Sequence, residues 1–463
     1  MKLKCFEVKE FKSVWDSGPV DAAQITCLVG KNEAGKTALL RALYRLNPVV
    51  EEEGKFDVTL DYPRMQVEDY RHEVESGERE VGVPIRATFT LDDELDDIAN
   101  LFGPEAVASE VTLSKNYENK LTFWLSADDT KALSYLVKAA DLSEQTREAA
   151  PDVDELTTVL NDEEQTEEVK RLLEILTAVK TRGVSGYVYD TFVKPRLPKF
   201  LYFDEYYQMT GHENIEALIQ RQNAKALKPS DYPLLGLIKL ARLELSELLN
   251  PSSTIELKGK LEGASNHLTR QVLKYWSQNR HLRMAFDVRP ARPGDPPNIW
   301  EGTNVWGGVY DTRHQVTTEL GSRSRGFVWF FSFLAWYSDV RRSTGSLVLL
   351  LDEPGLTLHA KAQQDLLRYF ETELKDQHQL IYTTHSPFMV DPEHFERVRI
   401  VQDKSIEAEG EVDEGEGTKV LVDIFAASPD SLFPLQGALG YELHQTLFVA
   451  HLILSSRVQQ TFY

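Results

Sequence analysis

Apolar and polar residues alternate along CFEVKEF (5–11), the pattern of a strand with one wet face, and the turn-rich WDSGP follows. ITCLVG (25–30) is apolar almost throughout, as expected of a strand buried on both faces. Beyond GKNEAGKT (30–37), the run ALLRALYRL (38–46) places apolar residues at helical spacing. The first stretch of the chain therefore predicts strand, turn, strand, Gly-rich loop and helix. VPIRATFTL (83–91) and KLTFWLS (120–126) alternate and predict antiparallel strands. The pattern turns helical and acidic from about 130 to 186, returns to strand at PKFLYFDEYY (198–207), and is mainly helical over 214–285. Within 256–276, Leu257, Leu261, Ala264, Leu268, Val272 and Trp276 recur at three- and four-residue steps, a stripe that serves equally as core or as a seam between chains. The Pro-rich turn RPARPGDPP (289–297) closes this region.

Composition narrows the class. The 463 residues suffice for one large domain with an insertion or for two domains, and 42% apolar with 27% charged residues fits a globular chain. No run is long and apolar enough to span a membrane, and Cys5 and Cys27 sit in apolar strand-like runs as small core residues, which suits a cytoplasmic setting. A net charge of −22 gives nucleic-acid binding no general support, because phosphate contacts demand locally gathered cations. Much of the acidic excess lies at 152–168 and 407–416, which read as a solvated helix face and a solvated loop.

Four separated motifs carry chemistry. GKNEAGKT fits G-x-x-x-x-G-K-[ST], with an apolar strand before it and a helix after it. A triphosphate needs many donors and close backbone approach, so Gly30, Lys31, Asn32, Glu33, Ala34 and Gly35 are expected to wrap it; Lys36 would reach the β- and γ-phosphates, and Thr37 would bind Mg²⁺. SLVLLLDEPGLTLH (346–359) is a buried strand that ends in Asp352, suited to water-mediated Mg²⁺ ligation, and Glu353, suited to orienting the attacking water. IYTTHSPFMVD (381–391) is another buried strand; it ends in His385, a donor to the γ-phosphate, which the intervening helix and strand place beside the Asp352 strand. In ELGSRSRGFVWFFSFLAWY (319–337), Ser324 and Gly326 begin an apolar helix whose N-terminus favours phosphate, and Arg323 and Arg325 add charge. The expected substrate is ATP with Mg²⁺.

The set resembles ABC-type ATPase heads of the RecF, SMC and OLD (overcoming-lysogenization-defect) group, and S-R-S-R-G-F-x-W-F-F-S-F with D-E-P-G-L-x-L-H looks most like the OLD family. The resemblance implies an α/β fold, a P-loop NTPase head of the ABC type with an antiparallel β lobe and helical insertions. On that pattern 1–126 is the N-terminal part of the head, 127–195 a helical insertion, 196–212 a return strand, 213–285 a helical arm available for dimerisation, and 286–450 the C-terminal part. Residues 451–463 form a tail where OLD proteins continue into a Toprim nuclease domain. No strand-borne glutamate followed by D-x-D occurs here, so nuclease activity is expected from a separate effector. The resemblance further implies a homodimer in which Ser324 and Gly326 cap the nucleotide held by the other chain, and a glutamine loop for which Gln208 is the candidate. It also implies that Phe11 and Lys12 approach the adenine or the phosphates, and it places the chain in DNA processing, repair or phage defence, with nucleic acid as a partner and no membrane. The energy-coupling subunit of a transporter is disfavoured by the missing LSGGQ. A clamp of the SMC or RecF kind lacks room for long coiled-coil arms.

Overall fold

A computed structural model describes residues 1–139, 152–251, 253–273, 279, 281–404, 417–421 and 435. The acidic run 407–416, Trp276 and the tail from 451 lie outside the described residues. The chain divides into two compact units; the first gathers Met1–Ala23, Ala38–Phe200 and Asp403–Val420, and the second includes Gln24–Thr37 and Leu201–Gln402. Strands are numbered in chain order.

The first unit is built on an antiparallel sheet ordered β2 (Val14–Asp16), β1 (Lys2–Phe11), β5 (Ile85–Thr90), β6 (Glu110–Lys115), β7 (Leu121–Trp124), with β3 (Val20–Asp21) also on β1. Alternation in β1 turns Phe6 and Val8 inward, so the expected strand with one wet face forms, and Phe11 at its end is buried too. The expected strands at 83–126 form as well, but the helix Asp93–Phe102 interrupts them; it buries Glu94, Ile98 and Phe102 on one face. Helices also form at Asp129–Ala139, Val153–Asp162 and Glu167–Val188, matching the helical reading of that region.

The second unit holds the sheet strands β15 (Val398–Asp403), β4 (Ile25–Val29), β14 (Gln379–Thr384), β13 (Leu347–Leu351) and β8 (Lys199–Phe203), in that order, and the first four run parallel. Every residue of β4, β13 and β14 is buried, which explains the wholly apolar β13 and the largely apolar β4. Each large apolar side chain so buried stabilises the fold by about 1.5–3 kcal/mol. β14 lies between β4 and β13, parallel to both, so the loops that follow these three strands open at one carboxyl edge. Such an edge is the usual ligand position in parallel sheets.

A second sheet, β10 (Leu282–Pro290), β11 (Thr303–Asp311), β12 (Val316–Glu319), with β9 (His212–Asn214) on β11, is absent from the sequence-based expectation. The Pro-rich turn connects β10 to β11 and does not close a purely helical arm. The stripe of the helix Thr254–Leu273 is core: Leu261, Ala264 and Leu268 are buried with Leu282, Val305, Phe327 and Phe331, and Leu257 packs at the margin.

Candidate functional site

The backbone at 30–37 runs from β4 into the helix Lys36–Tyr44, with positive φ at Glu33 (66°) and Gly35 (95°). These turns curl the loop back over its own start. A Cβ on Gly30 would stand 2.1 Å from the Val401 carbonyl oxygen, so only glycine fits between β4 and β15. Lys31, Asn32 and Glu33 are exposed, Gly35 is half-buried, Ala34 and Lys36 are buried, and Thr37 is exposed at the first turn of the helix. The Lys36 ammonium donates to the Gly30 and Lys31 carbonyls at 2.9 and 2.8 Å and lies 3.3 Å from Glu353 Oε1. A lysine buried to 6% side-chain exposure is thus held inside the loop by acceptors that a phosphate oxygen could replace.

Asp352 and Glu353 follow β13. The Asp352 carboxylate accepts from Thr383 Oγ1 at 2.6 Å and from the Tyr202 hydroxyl at 2.9 Å, one bond on each oxygen. Tyr202 also stands 3.0 Å from Asp204 Oδ2; one hydroxyl proton is therefore shared between two carboxylates. The Asp352 amide donates to the Phe203 carbonyl at 2.9 Å, tying β13 to β8 at this end. Glu353 adopts φ 47°, sparsely populated for a residue with a Cβ, while its amide donates to Thr383 Oγ1 at 2.8 Å. Its Oε2 accepts from the His385 amide at 3.3 Å and pairs with His385 Nδ1 at 2.9 Å. Lys36, Asp352, Glu353 and His385 therefore meet at one edge, as the motif reading requires.

The remaining expected residues group elsewhere in the second unit. Ser324 is the exposed N-cap of the helix Arg325–Ser343, and its hydroxyl makes no capping hydrogen bond. Gly326 is buried beneath the loop after Glu353: a Cβ there would meet Leu358 Cδ2 at 2.2 Å and the Thr357 carbonyl at 3.1 Å. Gln208 lines an open cleft of about 500 Å³ together with Tyr206, Thr210, Gly321, Arg323 and Arg325. Glycines lock the two walls of that cleft together, since a Cβ on Gly321 would sit 1.9 Å from the Thr210 carbonyl. Phe11 does not offer its ring to a base. It is fully buried in the first unit, edge-on to Phe56 at 5.7 Å, because the positive φ of Glu10 (50°) breaks the alternation of β1 just before it. Lys12, next along, is exposed.

Tyr202, Asp204 and Thr383 escape a reading of sequence. Tyr202 and Thr383 lie within largely buried strands, where such side chains pass for packing. Below the site, burial pushes the Cys27 thiol up to about 12, so this β4 cysteine stays a neutral core side chain.

The family described as "AAA ATPase domain" matches residues 243–390. The matched stretch contains Ser324, Gly326, Asp352, Glu353 and His385, and the Gly-rich loop at 30–37 precedes it. The architecture is a mixed α/β fold, with the Gly-rich loop between β4 and the helix that follows it. No curated protein matches the chain at a significant level. Solved structures similar to it include the Smc head domain from Pyrococcus furiosus, with an extended coiled coil and bound to the C-terminal domain of ScpA, at 13% identity over 91% of this chain and 96% of that one, TM-score 0.37. An SmcHead bound to the C-winged helix domain of ScpA matches at 12% identity over 91% and 98%, TM-score 0.38. The SMC head domain from Thermotoga maritima matches at 12% over 91% and 98%, TM-score 0.34. No helix among the described residues is long and apolar enough to cross a membrane.

Proposed function

We propose that this ATPase binds ATP with Mg²⁺ at the carboxyl edge of its parallel sheet and hydrolyses it as one half of a homodimer of the OLD type. Turnover would be coupled to nucleic-acid processing or phage defence, with nuclease chemistry supplied by a separate effector. The observation that carries the reading is the contact of Lys36 Nζ with Glu353 Oε1 at 3.3 Å, which brings two distant motifs to one point. Lys36 would exchange the Gly30 and Lys31 carbonyls for β- and γ-phosphate oxygens, while the backbone amides of 31–37 and the following helix N-terminus supply further positive potential. The donor set fits Mg²⁺: Thr37 offers a hydroxyl and Asp352 a carboxylate oriented by two hydroxyl donors, both hard oxygen ligands. Bound magnesium would neutralise charge on the phosphate oxygens. Glu353 would orient the attacking water, and His385, held on its other oxygen, would donate to the γ-phosphate. Ser324 and Gly326 would complete the partner's site across the dimer, and the Gln208 cleft with Arg323 and Arg325 would lie on the same facing surface.

Radiolabelled ATP retention and phosphate release test this reading together. Lys36→Ala should lose retention, whereas Glu353→Gln should retain ATP and release phosphate about 100-fold more slowly. Equal turnover by Glu353→Gln and the unmodified chain would remove the mechanism.

A further inference from the structure

The helix Ala360–Tyr369 turns Ala362, Gln363, Leu366 and Tyr369 into the core of the second unit. Gln363 places a primary amide in that stripe at 5% exposure. Its Nε2 donates to the Gly355 carbonyl at 2.7 Å, and its Oε1 accepts from Ser386 Oγ at 2.9 Å. A buried amide left unsatisfied costs about 1–3 kcal/mol, and an apolar side chain of the same volume would fill this place without that exposure to loss. What an apolar side chain could not do is hold two loops at a fixed separation. Gly355 lies two residues after Glu353, and Ser386 immediately follows His385.

The two loops have little slack at this point. Gly355 has φ 83°, and a Cβ there would press on Met389 Sδ at 3.3 Å and Gln363 Cγ at 3.4 Å. The loop after His385 is anchored at its far end by the Tyr382 hydroxyl, which donates to the Met389 carbonyl at 2.7 Å. Glu353 itself sits at φ 47°, a conformation that persists only where its surroundings over-determine it. Thr383 fixes Glu353 from the strand side, and the Gln363 bridge fixes the loop that leaves it. The 2.9 Å contact between Glu353 Oε2 and His385 Nδ1 depends on the register of those same two loops.

We infer that Gln363 is a positioning residue for hydrolysis: its amide clamps the loop after Glu353 to the loop after His385 and thereby sets the Glu353–His385 pair. This rests on the reading of Glu353 and His385 as parts of the ATP site. Two variants test it, Gln363→Met, which keeps length and removes both hydrogen bonds, and Ser386→Ala, which removes one bond at a half-buried loop. The first readout needs no turnover: imidazole ¹⁵N shifts of His385 in the nucleotide-free full chain, labelled at histidine. Both variants should move the His385 signals, and the double variant should resemble Gln363→Met alone. The second readout is the split between kcat and ATP affinity. Misplacement of reacting groups by a fraction of an ångström to 1 Å lowers kcat by about 10- to 100-fold for Gln363→Met, with ATP affinity within about threefold. Unmoved His385 signals in Ser386→Ala and Gln363→Met overturn the clamp whatever the activity. Moved signals with unchanged kcat overturn its role in hydrolysis. An unmodified chain without turnover, but with the shifts seen, would fail the ATPase reading while leaving the clamp in place.

Discussion

The Thr383 hydroxyl stands between Asp352 and Glu353, donating to the carboxylate of the first at 2.6 Å and accepting the amide of the second at 2.8 Å. One side chain on β14 therefore orients both acidic residues at the end of β13. Thr383→Val preserves shape but removes both hydrogen bonds, leaving a half-buried acceptor and a backbone donor unpaired. Stability should fall by about 1–3 kcal/mol. If the proposed roles hold, phosphate release should slow about tenfold or more while ATP retention stays near that of the unmodified chain. Urea unfolding and single-turnover assays measure the two effects; normal turnover in Thr383→Val would show that the hydroxyl only fills space.

Two glycines at the site differ in what surrounds them, and alanine scanning should separate them. At Gly30 the obstructing atom is the Val401 carbonyl oxygen, part of β15 and unable to yield. At Gly326 the nearest atom is Leu358 Cδ2, the far end of a flexible side chain, with the Thr357 carbonyl further off at 3.1 Å. Gly30→Ala should cost about 3 kcal/mol or more, and Gly326→Ala about 1–3 kcal/mol, as for overpacked sites that can partly relax. Equal losses by thermal or urea unfolding would contradict the difference in packing.

How much of this was legible in the sequence follows from the same physics. β4 and β13 could be read because strands buried on both faces are near-continuous apolar runs, and residues 30–37 because a phosphate-wrapping loop leaves a fixed spacing of glycines and lysine. The β10–β11 hairpin was not legible, since the Pro-rich connection masks the strand end and Gly307 and Gly308 interrupt the alternation of β11. Thr383, Tyr202 and Gln363 were hidden for a different reason. Each occupies a position that periodicity assigns to core, and only the three-dimensional register shows that its polar atoms face Asp352, Glu353 and Ser386. Phe11 was over-read: its neighbour Lys12 is exposed, but the positive φ at Glu10 breaks the strand alternation and the ring itself is buried.

Ser324 caps its helix without a side-chain hydrogen bond and is exposed, so its hydroxyl is free of capping duty. If it serves the nucleotide of a second chain, two differently disabled chains should repair each other. Lys36→Ala abolishes the site in its own chain, and Ser324→Arg blocks the site of its partner; a mixed dimer retains one site with neither defect. Co-expressed and purified as heterodimers, the pair should recover roughly half of the two-site activity if the sites turn over independently. Verified heterodimers no more active than either parent would exclude action across the dimer.

His378, just before β14, is 6% exposed, and neither ring nitrogen has a hydrogen-bond partner among the described residues. Its ring lies edge-on to Tyr337 at 5.5 Å. Burial, with a lesser contribution from Arg341, pushes its pKa from the usual 6.5 down to about 4. The sign follows directly: between those two values the unfolded chain binds this proton and the folded chain does not, so stability falls as pH drops from 6.5 towards 4. His378→Leu removes the titrating group and leaves an apolar side chain against Tyr337. The variant should lose less stability than the unmodified chain when denaturant midpoints at pH 7 and pH 5 are compared, and at pH 7 it should match or exceed it, because no orphaned nitrogen remains in the core. Parallel pH profiles for the two proteins would mean that His378 gains a proton partner in solution and is not held neutral by burial.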